Sequence, residues 1–461
     1  MSLPINGRIA IIDDNMEQAL PLINVLAQKQ CPCSYFSGEL KYLPNIGENL
    51  NDIRLLFLDI NLIDDATHTD KELKAKLIPV LSRVISKDNY PYILIYWSRH
   101  ENEYSDLVKD IFQKELTDRK PIKYLSQNKL NYFDLNGERT IDFEKNVSIL
   151  FENITVLINQ EPSYNYLLNW ENQVHKSADN TLQRVFSAHN SFSNWSDNAN
   201  FLFNKFGKSY SGKEYFSQSP EEKIKSSFQA FNNVFIDSLE YSTYNTEIKN
   251  CTELSYDKNN VDEQAIFSIN KNLLISEEKS PIEYSGAVTE DQNQKSDSIF
   301  NDVLNNSINR TIIKEKILFE KGNKDKTEKE IRNLTDKKAK EIRAGIKSNW
   351  KKIYCVVTPL CDYVQQKYAY CRVVKGMLMD STYRGYIDDK SEAIFISPEF
   401  RFEGCNYILV LHFRYFFTTH SPKGIKYLNP LFRVRLQLLA EIQSKLARHI
   451  SRQGILFLDN L

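Results

Sequence analysis

An excess of charge of either sign is missing from this chain. Its 59 Lys and Arg residues stand against 60 Asp and Glu, a formal net charge of -1 over 461 residues. Obligate nucleic-acid binders usually carry a strongly basic domain, so nucleic acid is not an expected partner. Glycine and proline are scarce, at 14 each, which excludes collagen-like and linker-dominated chains. No run of ~18 uninterrupted apolar residues occurs, so no membrane span is expected. The opening MSLPINGRIAIIDDN lacks a basic region followed by a long apolar run, so no signal peptide is expected. Seven cysteines, an odd number, suit free thiols in a reducing cytoplasm better than a disulfide framework. What is present is ordinary globular usage, 41% hydrophobic and 26% charged, in a chain too long for one core. A cytoplasmic protein of two or three domains is expected.

Residues 1 to about 160 alternate short apolar runs with amphipathic stretches. RIAII (Arg8 to Ile12) ends on Asp13 and Asp14, and RLLFL (Arg54 to Leu58) ends on Asp59. YILIYW (Tyr92 to Trp97) ends on Ser98, and shorter strands are predicted at Cys33 to Phe36 and Ile122 to Leu125. Helical spacing covers 16–28, 71–86, 102–116 and 143–158. Near-continuous apolar strands alternating with helices indicate a parallel sheet covered on both faces. Five strands in βα repeats fit a flavodoxin-like doubly wound domain.

From 161 to 345 the chain becomes helical and polar, with helices predicted from Tyr164 to Phe186 and from Glu221 to Leu239. Lys314 to Lys347 holds 12 basic and 7 acidic residues with several i,i+4 pairs, the pattern of an exposed helical spacer. From 346 to 461 strands return at IYCVV, CRVVKGML, Ala393 to Ser397 and YILVLHFRYFF, followed by a closing helix from Leu431 to Ser451. These features predict a C-terminal α+β domain.

In an open parallel sheet, functional groups gather at the carboxyl ends of the strands. Asp13, Asp14, Asp59 and Ser98 all close predicted strands, so the fold brings three carboxylates and a hydroxyl to one edge. Clustered carboxylates repel unless a cation joins them, and Mg²⁺ prefers such oxygen ligands. A carboxylate can also accept a phosphoryl group as aspartyl phosphate.

IIDDN, FLDIN and IYWSRH together resemble the receiver domain of two-component response regulators. The resemblance implies Asp59 as phosphoacceptor, Asp13 and Asp14 as the acidic pair that holds Mg²⁺, and the backbone carbonyl of Asn61 as a further ligand. It implies Ser98 as the switch hydroxyl and a Lys after the fifth strand, Lys129 before Lys123. The sequence departs from the family pattern in three places. Asp64 to Asp70 lengthens the loop after the acceptor, the usual Lys-Pro pair is absent, and Tyr124 is the nearest candidate for the aromatic switch position. More narrowly, WSRH and the long acidic loop resemble divergent receivers of bacterial anti-phage systems of the Detocs type. There a sensor histidine kinase signals to one receiver protein with a nucleotide-destroying effector and to another that absorbs phosphoryl groups. The second kind is the expected counterpart, with no enzymatic activity beyond phosphotransfer and autodephosphorylation. The resemblance covers the first 160 residues and assigns nothing to the remainder.

Two further motifs compete for attention. GKSYSGK (Gly207 to Lys213) begins like a P-loop, but Glu214 stands where a Ser or Thr hydroxyl is required, so a polar turn is expected. TPLCD (Thr358 to Asp362) with Lys367 supports the alternative of a receiver-controlled effector enzyme acting on a nucleotide or nucleic acid. Cys361 would then be the nucleophile, and it should meet Asp362, Lys367 and a C-terminal His in one cleft.

Overall fold

The computed structural model describes residues 4, 8–45, 47–48, 50–63, 68–99, 101–134, 138–187, 194–248, 251, 253–254, 262–278, 280–320, 326–365, 367, 370–420 and 427–451. Two compact units emerge: Met1–Leu202 with Phe231–Ser255, and Phe203–Ala230 with Tyr256–Leu461.

The first unit begins β1 (Ile9–Ile12), α1 (Met16–Gln28), β2 (Cys33–Phe36), β3 (Leu55–Leu58), α2 (Asp70–Val84), β4 (Ile93–Ser98), α3 (Glu101–Lys114), β5 (Lys123–Asn128) and α4 (Phe143–Asn159). The five strands form one sheet in the order β2-β1-β3-β4-β5, every pair parallel, which is the strand order of a flavodoxin-like α/β domain. Alternation along the strands sorts the core into two layers. Ile9, Ile11, Leu55, Phe57, Ile93 and Ile95 face α1 and α4 on one side. Ala10, Ile12, Leu56, Leu58 and Leu94 face α2 and α3 on the other. Both faces are buried, which is why these strands read as unbroken apolar runs.

A long helix follows, α5 (Pro162–Ser187). Its Tyr164 and Leu168 complete the layer around α1 and α4. Its Glu171 carboxylate meets two buried arginines, one before each of two neighbouring strands. Arg54 donates from Nη2 at 2.7 Å and Nε at 3.0 Å, and Arg8 donates to the same carboxylate and to Asn172. The Tyr164 hydroxyl donates to the Arg54 carbonyl at 2.6 Å. Removing one partner of a buried ion cluster leaves the others charged and unpaired, at a cost of about 3–5 kcal/mol. Glu171→Ala should therefore lower stability by about that much in urea titration, and a loss under 1 kcal/mol would show that the cluster is dispensable.

Helices α6 (Trp195–Ser211) and α7 (Pro220–Asn245) each contribute residues to both units. The second unit continues α8 (Glu263–Leu274), β6 (Ile275–Ser276), β7 (Ala287–Asp291), α9 (Asp297–Ser307), α10 (Arg310–Phe319) and α11 (Glu328–Ser348). Then come β8 (Lys351–Val356), α12 (Leu360–Val364), β9 (Cys371–Asp380), β10 (Ile394–Ile396), β11 (Phe400–Phe402), β12 (Cys405–Thr419), β13 (Leu428–Val434) and α13 (Leu436–Ser451). Its eight strands form an antiparallel sheet in the order β10-β12-β9-β8-β7-β13-β6, with β11 paired to β12.

Several expectations for this half are corrected. The middle region is not helical throughout, because β6 and β7 leave it and join the C-terminal sheet. Residues 431–434 are strand rather than helix, for β13 pairs with β7 and the closing helix starts at Leu436. The charged segment is no exposed spacer either. Ile331, Ala339, Ile342 and Ile346 form a buried stripe on α11 that packs with Met377, Met379, Ile408 and Val410 of the sheet. GKSYSGK is neither phosphate loop nor polar turn. Gly207 to Ser211 complete α6, and a side chain at Gly207 would collide with Tyr215 and Ser227.

Candidate functional site: an acidic cluster at one sheet edge

Parallel neighbours β1 and β3 end level with each other, so their next residues, Asp13 and Asp59, lie side by side. Backbone hydrogen bonds fix both: the Asp13 N–H donates to the Phe36 carbonyl at 3.1 Å, and the Asp59 N–H to the Ile12 carbonyl at 2.8 Å. Asn15 caps α1, its side chain accepting from the Glu17 N–H at 2.9 Å, and so turns the chain directly after Asp14. Asp13, Asp14 and Asp59 each offer a carboxylate oxygen within 4.8 Å of the others. Asp13 and Asp59 are buried, and Asp14 is exposed. Among the described residues this is the one group of three or more His, Cys, Asp or Glu side chains placed to share a metal ion.

Lys129 follows β5 and is itself only 2% exposed. Its Nζ donates to Asp13 Oδ2 at 2.6 Å, to Asp59 Oδ2, and to Gln18 Oε1 at 3.3 Å. Lys123 opens the same strand and pairs instead with Glu161 at 2.8 Å, at the far end from the cluster. The predicted strand stopped at Leu125, whereas β5 runs to Asn128, and those extra residues carry Lys129 to the site. Ser98 closes β4, is buried, and lies in register with Asn128. The Asn61 N–H donates to Asp59 Oδ1 at 3.2 Å, which curls the chain around the carboxylate. Tyr124 stacks on Tyr96 near the start of β5, away from Lys129. Of the loop after Asp59, residues 64–67 lie outside the described residues.

Three carboxylates facing one ammonium leave two negative charges in a largely buried site. That surplus is what a divalent cation neutralises, and all the offered donors are hard oxygens, so the residues fit Mg²⁺. Burial pushes the Asp13 carboxyl up to about 6; Lys129 opposes the rise and Asp59 adds to it. Two attracting carboxylates raise Lys129 against its own burial, so it stays protonated. Because a metal competes with the Asp13 proton, Mg²⁺ should bind with constant affinity well above pH 6. Affinity should then fall about tenfold per unit as pH drops below about 6, one proton being released per ion bound. Without metal the sign for stability is opposite. The folded value lies above the ordinary 3.8, so this group's contribution is full at low pH and is lost as pH rises through about 6. Calorimetric titration with Mg²⁺ across this range checks the first statement, and an affinity independent of pH would refute it.

Sequence inspection missed Gln18 and Tyr35. Gln18 sits in the first turn of α1 beneath Lys129, and Tyr35 donates its hydroxyl to the Asp13 carbonyl at 2.7 Å. Neither carries a signal in sequence, since both are ordinary residues of their elements. Glu171 was also missed, although its partners were visible. RIAIID and RLLFLD both place an arginine five positions before the aspartate.

Of the other candidates, Cys361, Asp362 and Lys367 stay together after β8, the Lys367 N–H donating to the Asp362 carbonyl at 3.0 Å, and His420 follows the end of β12 that pairs with the start of β9, its ring against Tyr370, while His412 is set apart. Cys361 is exposed on α12 and contacts Asp362, which pairs with Arg372 at 3.5 Å. His412 is buried on β12, which is separated from β8, the strand before α12, by β9. All seven cysteines are free, and full burial raises the Cys355 thiol to about 12, as for an inert core group. Comparison of the chain with protein-family models, with curated proteins and with solved structures gives no match. Among the described residues, no helix is long and apolar enough to cross a membrane.

Proposed function

We propose that this chain is a two-component receiver that accepts a phosphoryl group on Asp59 from a sensor histidine kinase. The observation that carries the proposal is the convergence of Asp13, Asp14 and Asp59 around Lys129 at the carboxyl edge of a five-stranded parallel sheet. In the transfer, an Asp59 carboxylate oxygen attacks the phosphorus of a phosphohistidine. The O–P bond forms as the N–P bond breaks, and the imidazole leaves with the bonding electron pair. Lys129 already binds this carboxylate and is placed to exchange that contact for one to a phosphoryl oxygen, as Ser98 would from the neighbouring strand. Asp13, Asp14 and Asp59, with the Asn61 carbonyl, would hold Mg²⁺, which neutralises charge on the transferring group. Attack by water on the same phosphorus releases inorganic phosphate and resets Asp59.

The proposal extends to the system: a cytoplasmic anti-phage pathway of the Detocs type, in which this protein absorbs phosphoryl groups that would otherwise reach a second receiver bearing an effector. Among the described residues the Cys361 thiol contacts the Asp362 carboxylate rather than an imidazole base, which supports an absorber over a receiver-controlled enzyme. The test is growth, without phage, of cells carrying the kinase, the effector protein and the Asp59→Ala variant. Poor growth that depends on the effector is expected, because the competing acceptor is gone. Normal growth combined with lost defence would make the protein a positive-acting regulator.

A further inference from the structure

The second unit carries a charged groove that the receiver chemistry does not use. It runs between α10 and α11, has a volume of about 600 Å³, and is lined by Arg310, Lys314, Lys329 and Arg332 with one carboxylate, Glu328. Arg310 is engaged by Asp336. Lys314, Lys329 and Arg332 make no ion pair among the described residues, although the chain as a whole holds as many acids as bases. The buried stripe of Ile331, Ala339, Ile342 and Ile346 seats α11 on the sheet, and Ile313 and Ile317 seat α10 in the same core. The helices are thereby held in place, and the cations are presented on a fixed frame rather than on a loose arm.

We infer that this groove binds a short phosphate chain. Its volume lies in the range of small-molecule sites. Its lining sets three cations outside any ion pair against one carboxylate, Glu328, and has no aromatic ring among the described residues, so it offers net positive charge to phosphates and no platform on which a base could stack. Arg332 can bind two phosphate oxygens at once, while Lys314 and Lys329 act as point charges on either side. The shared chemistry is that of a linear triphosphate, found both in nucleoside triphosphates and in inorganic polyphosphate. This inference is independent of phosphoryl acceptance at Asp59.

The experiment is calorimetric titration of the full chain with tripolyphosphate and, separately, with ATP, in EDTA so that the acidic cluster holds no metal. Wild type should bind tripolyphosphate, and the affinity should weaken as salt is raised. The exposed double variant Lys314→Ala/Arg332→Ala should bind at least about tenfold more weakly, since each charge-assisted contact is worth at least that factor. Lys337→Ala/Lys340→Ala removes the same charge from α11 outside the groove and should bind like wild type. Equal affinity for tripolyphosphate and ATP supports recognition of the phosphate chain alone, and tighter ATP binding assigns the site to nucleotides. No binding by wild type, equal binding by the groove variant, or binding only of a single-stranded oligonucleotide with affinity rising with its length would each overturn the inference.

Discussion

Asp59→Asn should accept no phosphoryl group from a histidine kinase, while the fold persists. An amide is nearly the same shape as a carboxylate but presents one oxygen, which accepts either from the Asn61 N–H or from Lys129, so one of these two contacts is lost while Asp13 still holds Lys129. What is lost is the anionic nucleophile, and with it one of the three carboxylates around the metal position. The expected outcome is transfer below detection, an effect far larger than a metal-affinity change alone would give. Phosphotransfer from labelled kinase measures it. Transfer at the wild-type rate would place the acceptor elsewhere in the chain.

Lys129→Ala has the second-largest effect, and it acts first on stability. Lys129 Nζ is the counter-charge for two buried carboxylates. Without it Asp13 and Asp59 repel in a largely buried site, and breaking a buried pair in this way costs about 3–5 kcal/mol. The variant should also depend on Mg²⁺ more than wild type does, because the cation becomes the only positive charge in the cluster. At a hundredfold excess over its Kd, a ligand that binds only the folded state adds about 2.7 kcal/mol. Thermal unfolding with and without Mg²⁺ should therefore show a low midpoint in EDTA and a larger Mg²⁺-induced rise than in wild type. The same rise in both proteins would mean that Lys129 and the metal do not share the cluster. Phosphotransfer should fall in this variant even where Mg²⁺ restores the fold.

The parallel sheet and its acidic edge were legible because local pattern and tertiary demand agree there. Strands buried on both faces must be apolar along their whole length, and a strand that ends in Asp announces where its polar edge begins. Lys129 was harder to place, since β5 is only half-buried and its last residues, Gln127 and Asn128, are polar. Nothing in their own sequence marks them as strand. They are held by pairing with Trp97 and Ser98. The second unit hid more. In α11 the charges mask a stripe at 331, 335, 339, 342 and 346, and β7 is five residues long and ends in two acids. Their structure is dictated by partners distant in sequence: the face of β9 and β12 for the helix, and β8 and β13 for the strand. Arg8 and Arg54 show the same limit within the first unit, for only the fold reveals that both answer to Glu171.

Asp59 is proposed here as the phosphoryl acceptor. The most direct test is intact-mass and peptide mapping of the wild-type chain after incubation with acetyl phosphate, in Mg²⁺ and in EDTA. The predicted result is one phosphoryl group per chain in Mg²⁺, removed by hydroxylamine as an acyl phosphate is, mapped to the peptide containing Asp59 and absent in EDTA. An unmodified chain in Mg²⁺, or a phosphoryl group on any other residue, would contradict it.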